Sequence, residues 1–540
     1  MNQPEQRKIE RVLMVSREYD GLAGAGGVKD VCRQLAEALA RHGACDVRVV
    51  LPRYGFIDAE ELGFAPVTLP CRGAEGKPAL SFDVAMNYAN RERREQVSLW
   101  TKNIHGVTVY LLESARFAEK HGVYAYTAGE EAEKSWQQAG AGHYDYFAMN
   151  ILLQKAALDM LLLLDFRPDI IHCHDGHAAV LPAMLRENEG WRHWFCRTGA
   201  VVTVHNAGQG YHQEVEDIEF AEAVTGLPFS VIRSGLFNNS FDPFAVAAGY
   251  AAMNTVSENY ARELQETDED SRTGWLGHHL LRRGVPLAGI TNGISPEGFD
   301  PRHADQVGID AAFDPAAGDL HGKWQCKERM LAACGADQHW QRVVQHGSLH
   351  AEPHLPLFTF IGRLTAQKGV DVLLKALILL AATGETGFQI LLLGSGEKYL
   401  EEHLQDMAAS DNSNGRLCFL QGYDPALATK IYAAGDFFLI PSLYEPCGLT
   451  DYIAQLFGNL PVAHRVGGLV KIIDGETGFT YQEHQPEALA AAMQQALHIY
   501  REERSRITDM QRAAVERIRS RHTWEQVMQN YLALYRQSLP

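Results

Sequence analysis

The sequence lacks the signatures of disulfide-rich, zinc-bound and membrane-spanning proteins. None of the nine cysteines in its 540 residues stands in a Cys-x-x-Cys spacing, which argues against a disulfide framework and a structural zinc site. The amino terminus has no apolar signal-peptide core. No apolar run approaches the roughly 20 residues that span a membrane, and the run from Met160 to Leu164 stops at Asp165. We therefore expect a soluble cytoplasmic protein. The cysteines are Cys32, Cys45, Cys71, Cys173, Cys196, Cys326, Cys334, Cys418 and Cys447.

Positive charge is scarce. Lys and Arg number 49 and Asp and Glu number 67, so the formal net charge is 49 − 67 = −18. A nucleic-acid or anionic-membrane binder needs a basic surface, and we expect neither partner. The P-loop pattern GxxxxGK[ST] is absent and the fingerprint GxGxxG is not met cleanly, so an ATPase or dinucleotide enzyme has little support.

Short aliphatic runs alternate with amphipathic stretches along the whole chain. The stretch VCRQLAEALARHG (31–43) is one such helix, with apolar residues at i, i+3, i+4 and i+7. The alternation predicts βαβ units and parallel sheets that bind ligands at the carboxyl ends of the strands. The predicted strands are 11–16, 46–52, 107–112, 169–174, 200–205, 251–257, 357–363, 388–394, 416–422, 436–442 and 460–465.

A break around 265–300 divides this pattern into two halves. It contains an acidic segment, ETDEDSRTG (266–274), and a segment rich in Pro, Gly and Asn, ITNGISPEGFDPRH (290–303). We predict an α/β fold with two Rossmann-like, doubly wound domains facing each other across a deep cleft. The amino-terminal domain spans 1–285 and the carboxyl-terminal domain spans 286–515. Residues 516–540 form a helical tail that packs back on the amino-terminal domain.

Two loops at predicted strand ends suit an anionic ligand. The loop GLAGAGGVKDV (21–31) brings glycine amides to a helix start, where the helix dipole favours negative charge. In the second half, Arg363 and Lys368 lie five residues apart just past a strand, as a diphosphate leaving group would require. A tight connection and a pair of solvated surface cations remain open as alternatives.

The segment PSLYEPCGLTDYIAQLFGNLPVAHRVGGL (441–469) is more informative. It places Glu445 on a turn bounded by Pro and Gly at a strand end, immediately before a helix. Amides from Gly448 to Thr450 can face phosphate, and the carboxylate can accept hydrogen bonds from sugar hydroxyls. Gly467 and Gly468 predict a second close-approach turn one strand later. A capping carboxylate on an ordinary strand-loop-helix connection is the alternative.

These motifs together resemble those of the bacterial glycogen synthase and plant starch synthase family, which are GT-B glucosyltransferases. The resemblance rests on EPCGLT and RLTxQKG (363–369), with four further motifs in the family's order, and it extends from Arg11 to about Tyr535. The four motifs are HDGHAA (174–179), TVHN (203–206), TVSENYARE (255–263) and TNGI (291–294).

The resemblance implies retaining transfer of glucose from a nucleotide-glucose, ADP-glucose above all, to the nonreducing end of an α-1,4-glucan, without a metal or other cofactor. The implied catalytic residues are Arg363 and Lys368 at the diphosphate, Glu445 at the donor glucose, and His205 at the donor sugar. The implied substrate-binding residues are Gly26, Gly27, Asp175, His177, Asn206, Cys447, Gly448, Leu449, Thr450, Gly467 and Gly468.

Two positions depart from the family pattern. The family's first loop reads K-x-G-G, but Gly24 stands at the lysine position and Lys29 lies farther along, on the first helical turn. This departure keeps open UDP-glucose or another donor, and a small sugar-phosphate acceptor. A weakly active glucan-binding homologue is a third reading, which the intact set of cations and Glu445 opposes. Lys471 follows GGL where the family has an acidic residue.

Three other groups of residues invite a functional reading. His172, His174, Asp175 and His177 alternate as metal ligands sometimes do, although hydrogen-bonded roles at a strand end are the favoured reading. The acidic run 268–270 matches a metal-binding DxD motif but reads better as a solvated charge run. Aromatic residues offer rings for glucan stacking or for packing: Tyr124, Tyr126, Tyr144, Tyr146 and Phe147.

Overall fold

A computed structural model describes residues 8–68, 79–335 and 340–540. Cys71 lies outside the described residues. The chain forms two compact units, one comprising Met1–Gly293 with Trp524–Pro540 (unit 1) and the other Ile294–Thr523 (unit 2). The predicted boundaries at 285 and 515 therefore shift, because a short strand at Ala288–Gly289 still pairs in the first sheet and the helix Arg504–Arg521 packs within unit 2.

Unit 1 is built on a sheet of ten strands, parallel from β12 to β6, in the order β12-β11-β8-β7-β1-β2-β6-β5-β3, with β4 paired to β5. Strand β1 lies between β2 and β7, so the chain winds outward from it in both directions. The unit's strands, including a separate β9–β10 pair, are β1 Arg11–Val15, β2 Asp46–Pro52, β3 Ala65–Pro66, β4 Ser81–Ala85, β5 Arg94–Ile104, β6 Val107–Glu113, β7 Ile170–His174, β8 Gly199–Val204, β9 Leu236–Phe237, β10 Ser240–Phe241, β11 Ala252–Thr255 and β12 Ala288–Gly289.

Helices pack against this sheet. The helices are α1 Val28–Arg41, α2 Ala115–Ala118, α3 Ala128–Glu133, α4 Tyr146–Leu163, α5 Leu181–Glu187, α6 Glu189–Arg192, α7 Ile218–Thr225, α8 Phe229–Ser234, α9 Pro243–Ala247, α10 Glu258–Glu266 and α11 Leu276–Arg282. Within the described residues, α4 is the one helix long and apolar enough to cross a membrane. However, 78% of its apolar window is buried, as in the core helix of a globular domain.

Unit 2 has a seven-stranded sheet in the order β13-β16-β15-β14-β17-β18-β19. All pairs are parallel except β13 with β16, and β14 lies between β15 and β17. Apolar residues fill both faces of the sheet, which is why its strands read as continuous aliphatic runs. The strands are β13 Val343–Leu349, β14 Leu357–Ile361, β15 Gln389–Gly394, β16 Arg416–Gly422, β17 Phe437–Ile440, β18 Leu460–His464 and β19 Phe479–Tyr481.

The helices of unit 2 cover both faces of that sheet. They are α12 Ala304–Val307, α13 His321–Gly335, α14 Val370–Ala382, α15 Lys398–Ala409, α16 Pro425–Ala434, α17 Thr450–Leu456, α18 Pro486–Glu502 and α19 Arg504–Arg521. The last helix of the chain, α20 Trp524–Gln537, belongs to unit 1. There Tyr535 Oη lies 2.9 Å from His172 Nδ1, and Trp524 Nε1 donates to Gln34 Oε1 at 2.8 Å.

Candidate functional site

The doubly wound topology places one loop of each unit at a strand from which the sheet extends in both directions. In unit 2 this loop follows β14 and contains Arg363 and Lys368. Ligands bind at such switch points because the neighbouring connections leave on opposite faces of the sheet and open a crevice. Arg363 is exposed and Lys368 is half-buried.

Local packing determines the shape of this loop. Thr365 caps a 3₁₀ turn, Ala366–Lys368, by accepting a hydrogen bond from the Lys368 amide. Gly369 follows with φ +68°, and a Cβ there would lie 1.9 Å from the carbonyl oxygen of Pro441. The Leu443 amide also donates to the Gln367 carbonyl at 2.9 Å. The loop after β14 is therefore packed directly against the loop after β17.

This packing pairs two of the predicted site residues. Lys368 Nζ donates to Glu445 Oε2 at 2.6 Å, and Ser442 Oγ donates to the same oxygen at 3.1 Å. The two residues come from neighbouring strands and lie 77 positions apart in the chain. A cation and a carboxylate are thus held together at the carboxyl edge of the sheet.

The third loop of this edge follows β18 and supports the Glu445 turn from behind. Gly467 has φ +49°, and a Cβ there would lie 1.9 Å from the carbonyl oxygen of Glu445. A Cβ on Gly468 would lie 2.1 Å from the Cys447 carbonyl oxygen, and the Gly468 amide donates to the Glu445 carbonyl at 3.0 Å. The two glycines are required because backbone approaches backbone here. The predicted close-approach turn is therefore a support for the Glu445 turn.

Lys471 explains a departure that the sequence left open. Its Nζ donates to the carbonyl oxygens of Cys447 at 2.5 Å and Gly448 at 2.8 Å, and lies 3.1 Å from Asp451 Oδ1. Its side chain is 7% exposed and that of Asp451 is fully buried. Burial raises the pKa of Asp451 to about 6, while Lys471 works against that rise. Lys471 thus ties the carbonyls of the turn, whose residues continue through Leu449 into α17, to a buried carboxylate.

In unit 1 the corresponding loop follows β1, and a residue that the sequence reading missed organises it. Glu18 is 1% exposed, and its Oε2 accepts hydrogen bonds from the amides of Ala25 at 2.7 Å and Gly26 at 3.2 Å. Its Oε1 accepts one from Tyr124 Oη at 2.7 Å. The predicted anion-binding amide of Gly26 therefore faces a carboxylate of the protein itself. Its neighbour Gly27 precedes α1.

Lys29 lies on the first turn of α1, as predicted. Its Nζ pairs with Asp20 at 3.1 Å and Asp30 at 3.0 Å. The side chain crosses Gly24 so closely that a Cβ on Gly24 would lie 2.2 Å from Lys29 Cδ. The space beside Gly24 is thus occupied by the displaced lysine.

A buried arginine beside Glu18 positions two further rings. Arg17 is 1% exposed, and its guanidinium donates to Tyr54 Oη at 3.1 Å and Asn150 Oδ1 at 3.2 Å. The guanidinium carbon lies 4.8 Å from the centroid of the Tyr124 ring. The Arg17 amide donates to His177 Nε2 at 3.0 Å, so His177 is a buried acceptor.

The loops after β7 and β8 meet through Asp175. This residue has φ +57° and its Oδ1 accepts the His205 amide at 2.7 Å. The Asn206 amide also bonds to the carboxylate, yet burial outweighs both bonds and raises the pKa of Asp175 to about 8. His205 Nε2 lies 2.9 Å from His174 Nδ1, and burial lowers the pKa of His174 to about 3 and that of His205 well below its usual value. Both imidazoles are therefore neutral at physiological pH.

The prediction that the acidic run at 268–270 is solvated is wrong for its last residue. Asp270 is fully buried instead of solvated, since its carboxylate accepts the amides of Gly277 at 3.0 Å and His278 at 2.8 Å. It therefore caps the start of α11. His172 has structural partners as well, because its Nε2 lies 2.6 Å from Thr203 Oγ1. Over the described residues, no group of three or more His, Cys, Asp or Glu is placed to hold a metal ion.

Comparisons with known proteins identify the family. Residues 11–281 match the model for the starch synthase catalytic domain, and residues 355–498 match the model for glycosyl transferases group 1. A glycogen synthase of Geotalea daltonii is 32% identical over 91% of this chain and 92% of its own length. The chain belongs to the glycogen synthase and starch synthase family. A glycogen synthase of Anaeromyxobacter dehalogenans is 31% identical over 98% of this chain and 99% of its own length.

Solved structures agree on the fold of the family. The catalytic domain of starch synthase IV from Arabidopsis thaliana, bound to ADP and acarbose, matches with a TM-score of 0.75 at 24% identity, over 98% of this chain and 99% of that one. Sucrose-phosphate synthase from Thermosynechococcus elongatus matches with a TM-score of 0.55 at 16% identity, over 98% of both chains. The predicted α/β fold of the GT-B class, with two parallel-sheet domains, is confirmed.

In this member of the glycogen synthase family, each unit brings several of the predicted site residues close together. Unit 2 brings together Lys368, Glu445 and the two glycines of the third loop, with Arg363 exposed on the same edge. Unit 1 brings together Asp175 and His205. Sequence reasoning missed Glu18, Arg17 and the pair of Asp451 with Lys471. The charged residues Arg17 and Glu18 could have been noticed because they come directly after the first aliphatic strand.

Proposed function

We propose that this chain transfers glucose from ADP-glucose to the nonreducing 4-hydroxyl of an α-1,4-glucan, with retention at the anomeric carbon. The proposal is carried by the 2.6 Å pair of Lys368 and Glu445 at the switch point of unit 2. A sugar diphosphate needs a cation for its phosphates and an acceptor for its sugar hydroxyls, and this pair supplies both at one place.

Departure of the nucleotide is the step that needs positive charge. When the bond between glucose C1 and the phosphate oxygen breaks, negative charge grows on the diphosphate, and Lys368 with Arg363 stabilises it. The acceptor hydroxyl approaches from the face that the nucleotide leaves, and its proton passes to the departing phosphate oxygen. The paired carboxylates of a glycosidase are then unnecessary, since positioning and charge lower the barrier.

The turn from Glu445 to Thr450 holds the donor glucose and the phosphate next to it. Glu445 accepts hydrogen bonds from glucose hydroxyls, and Cys447 contributes backbone groups only, because its side chain is buried. Lys471 engages the carbonyls of Cys447 and Gly448, which leaves the following amides for the phosphate. Gly467 and Gly468 hold the turn in place, because their backbone packs against the carbonyl oxygens of Glu445 and Cys447.

Unit 1 contributes polar groups to the sugars. His205, neutral and fixed by its contact with His174, serves as a hydrogen-bonding partner of the donor sugar. Asp175 holds the loop that presents His205 and Asn206. Asp175 and His177 form the acceptor side. In the first loop, Gly27 approaches the diphosphate through its backbone amide, since the Gly26 amide is bonded to Glu18.

ADP-glucose is favoured as donor because relatives of about 30% identity are named glycogen synthases and the solved starch synthase IV was bound to ADP. We place the enzyme in the cytoplasm, with a nucleotide-sugar and an α-glucan as its partners. One observation favours a second donor: Gly24 stands at the family's lysine position, the nearby Lys29 is paired with Asp20 and Asp30, and the Gly26 amide faces Glu18. UDP-glucose, or a small sugar-phosphate acceptor, therefore stays the second candidate.

The test is nucleotide release by purified protein from ADP-glucose and from UDP-glucose, each with and without glycogen, in the presence of a chelator. We expect release from ADP-glucose that requires glycogen, lengthens its chains and survives the chelator. Release from UDP-glucose alone, or without glycogen, would select the second candidate. Silence with both donors would contradict transfer to glycogen and leave a small sugar-phosphate acceptor, to be added in a second assay, or a glucan-binding homologue.

A further inference from the structure

An open polar groove lies in unit 1, away from the loops described above. It has a volume of about 710 Å³ and is formed by the carboxyl end of β6, the start of β5 and the residues that precede α4. Ser98 of β5 pairs with Glu113 of β6, which brings these strand ends together. None of the proposed catalytic residues lines it.

The floor of the groove consists of fixed, paired charges. Arg116 Nε donates to Glu95 Oε2 at 2.9 Å, and its NH1 donates to Asp145 Oδ2 at 2.5 Å. Lys120 Nζ, which is fully buried, lies 2.9 Å from Asp145 Oδ1. The side chains of Arg116 and Asp145 are 9% and 5% exposed. Such a network presents hydrogen-bonding groups whose positions do not change on binding.

The charges that line the groove nearly cancel. Three arginines and four carboxylates give 3 − 4 = −1. An anion would meet the carboxylates and a metal ion would meet the arginines, so neither matches this lining. The matching ligand is uncharged and carries many hydroxyl groups, which can donate to carboxylates and accept from guanidinium groups.

The rim carries exposed aromatic rings. Tyr144 lines the groove with 70% of its surface exposed, and its ring centroid lies 5.4 Å from that of Trp136, which is 57% exposed. Trp136 contacts Tyr126 at 5.8 Å, and Tyr126 is buried. Large rings left in solvent beside a polar groove indicate a contact surface, since an aromatic face can cover the apolar face of a sugar ring.

The groove lies on the same edge of the sheet as the loop after β7, which bears Asp175 and His177. The strand order from β7 through β1 and β2 to β6 makes three steps. At about 4.8 Å for each step, the two places are about 14 Å apart along the edge. A linear oligosaccharide of several sugar units spans such a distance.

We infer that this groove binds a stretch of α-glucan chain remote from the reacting end, with Tyr144 and Trp136 stacking on glucose rings and Arg94 and Glu95 bonding hydroxyls. The inference rests on the proposed function in taking the ligand to be an α-glucan. The groove is then a second binding site for a long glucan chain, and a short acceptor does not reach it.

The test is native gel electrophoresis with glycogen cast in the gel, which measures binding without catalysis. Tyr144→Ala is compared with Tyr423→Ala, a matched control that removes another exposed tyrosine, at 61% against 70%, from unit 2. We expect the dissociation constant for glycogen to rise about tenfold in Tyr144→Ala and to stay unchanged in Tyr423→Ala. Equal retardation of Tyr144→Ala and wild type, or no retardation of wild type by glycogen, would overturn the inference.

Two further readouts separate the groove from the proposed reaction. Arg94→Ala, at the exposed rim, is expected to weaken retardation in the same direction, and circular dichroism confirms that each variant is folded. In the transfer assay, Tyr144→Ala is expected to raise the ratio of the KM for glycogen to the KM for maltotriose about tenfold. If the protein releases nucleotide from neither donor but retardation still depends on Tyr144, the proposed reaction is contradicted and the glucan-binding groove is supported. An unchanged KM ratio would count against the groove even if transfer proceeds.

Discussion

Lys471 offers the sharpest test of how unit 2 holds its substrate-binding turn. Replacing it by methionine keeps most of the side-chain volume and removes one charge. The change takes the partner of Asp451 away and frees the carbonyl oxygens of Cys447 and Gly448, which Lys471 Nζ contacts at 2.5 and 2.8 Å. The variant therefore perturbs the turn from beneath while leaving Glu445 in place.

The expected loss of stability follows from these contacts. Two carbonyl groups that lose a charged donor cost roughly 1 to 3 kcal/mol each. Asp451, whose pKa is about 6, is largely ionised at neutral pH. Without Lys471 it becomes protonated at pH 7, which adds about 1 kcal/mol for one unit of pKa. These contributions sum to about 3 to 7 kcal/mol. We take about 4 kcal/mol, the usual cost of breaking a buried ion pair by removing one partner.

Thermal unfolding measured by scanning calorimetry checks this magnitude. For a unit of this size, about 4 kcal/mol lowers the midpoint of the unit 2 transition by about 10 °C. Lys398→Met is the matched control, because Lys398 is 88% exposed and pairs with Glu402 on the surface of the same unit. The double variant Lys471→Met/Asp451→Leu should recover much of the loss, since a buried pair can be replaced by apolar groups at little cost.

The turnover number kcat, measured while the variant is still folded, tests the position of the turn separately from its stability. Below the melting temperature of the variant, Lys471→Met should lower kcat, because the freed carbonyls let the turn amides drift from the phosphate. A midpoint within 1 °C of wild type, as in Lys398→Met, would refute the assigned role of Lys471. Recovery of stability in the double variant without recovery of kcat would show that the pair positions the turn as well as stabilising it.

Three further outcomes are expected. Glu445→Gln should abolish transfer from the nucleotide-glucose while leaving the melting midpoint within a few degrees of wild type; near-normal turnover would remove Glu445 from the site. Gly467→Ala should lose both activity and stability, because its Cβ would lie 1.9 Å from the Glu445 carbonyl oxygen, whereas Gly298→Ala, with no atom within 4 Å of the added Cβ, should be benign in the same melting and transfer assays. For His174, burial lowers the folded pKa from 6.5 to about 3, so the unfolded chain binds more protons between these values and stability falls as pH drops below 6.5. The loss is about 1.4 kcal/mol for each pH unit, and His174→Asn should flatten the dependence of the unit 1 melting midpoint on pH; an unchanged slope would show that His174 is not the group responsible.

The strands and the loops that bear the candidate site residues were predictable from local patterns. Each of the eleven predicted strands is present with its ends within two residues of the prediction. The antiparallel strands β3, β4, β5 and β13 were not predicted, because they read as polar, irregular sequence. The short strands β9, β10, β12 and β19 were not predicted either. Aliphatic runs buried on both faces are strong signals, and half-exposed strands are weak ones.

The limits of the sequence reading are clearest for charged residues. Asp270 reads as part of a solvated acidic run, yet it is buried because Thr273, Gly277 and His278 donate hydrogen bonds to its carboxylate. In the sequence, Lys471 is an unexplained lysine at a position where the family has an acidic residue. The structure explains it, because Lys471 pairs with the buried Asp451. A charge can be buried only where hydrogen-bonding partners surround it, and spacing in sequence does not reveal which groups the fold turns toward it.

The sequence by itself determined the α/β class and the position of the switch-point loops, because strand periodicity and glycine-bounded turns are local properties. It also placed Lys368, Glu445 and the paired glycines on these loops as candidate site residues. Only the tertiary structure decided that Lys368 and Glu445 touch, that Glu18 engages the amides of the first loop, and that Tyr144 faces a polar groove while Tyr126 is buried. Contacts between residues far apart in the chain follow from strand order, and strand order is set by the packing of the whole sheet.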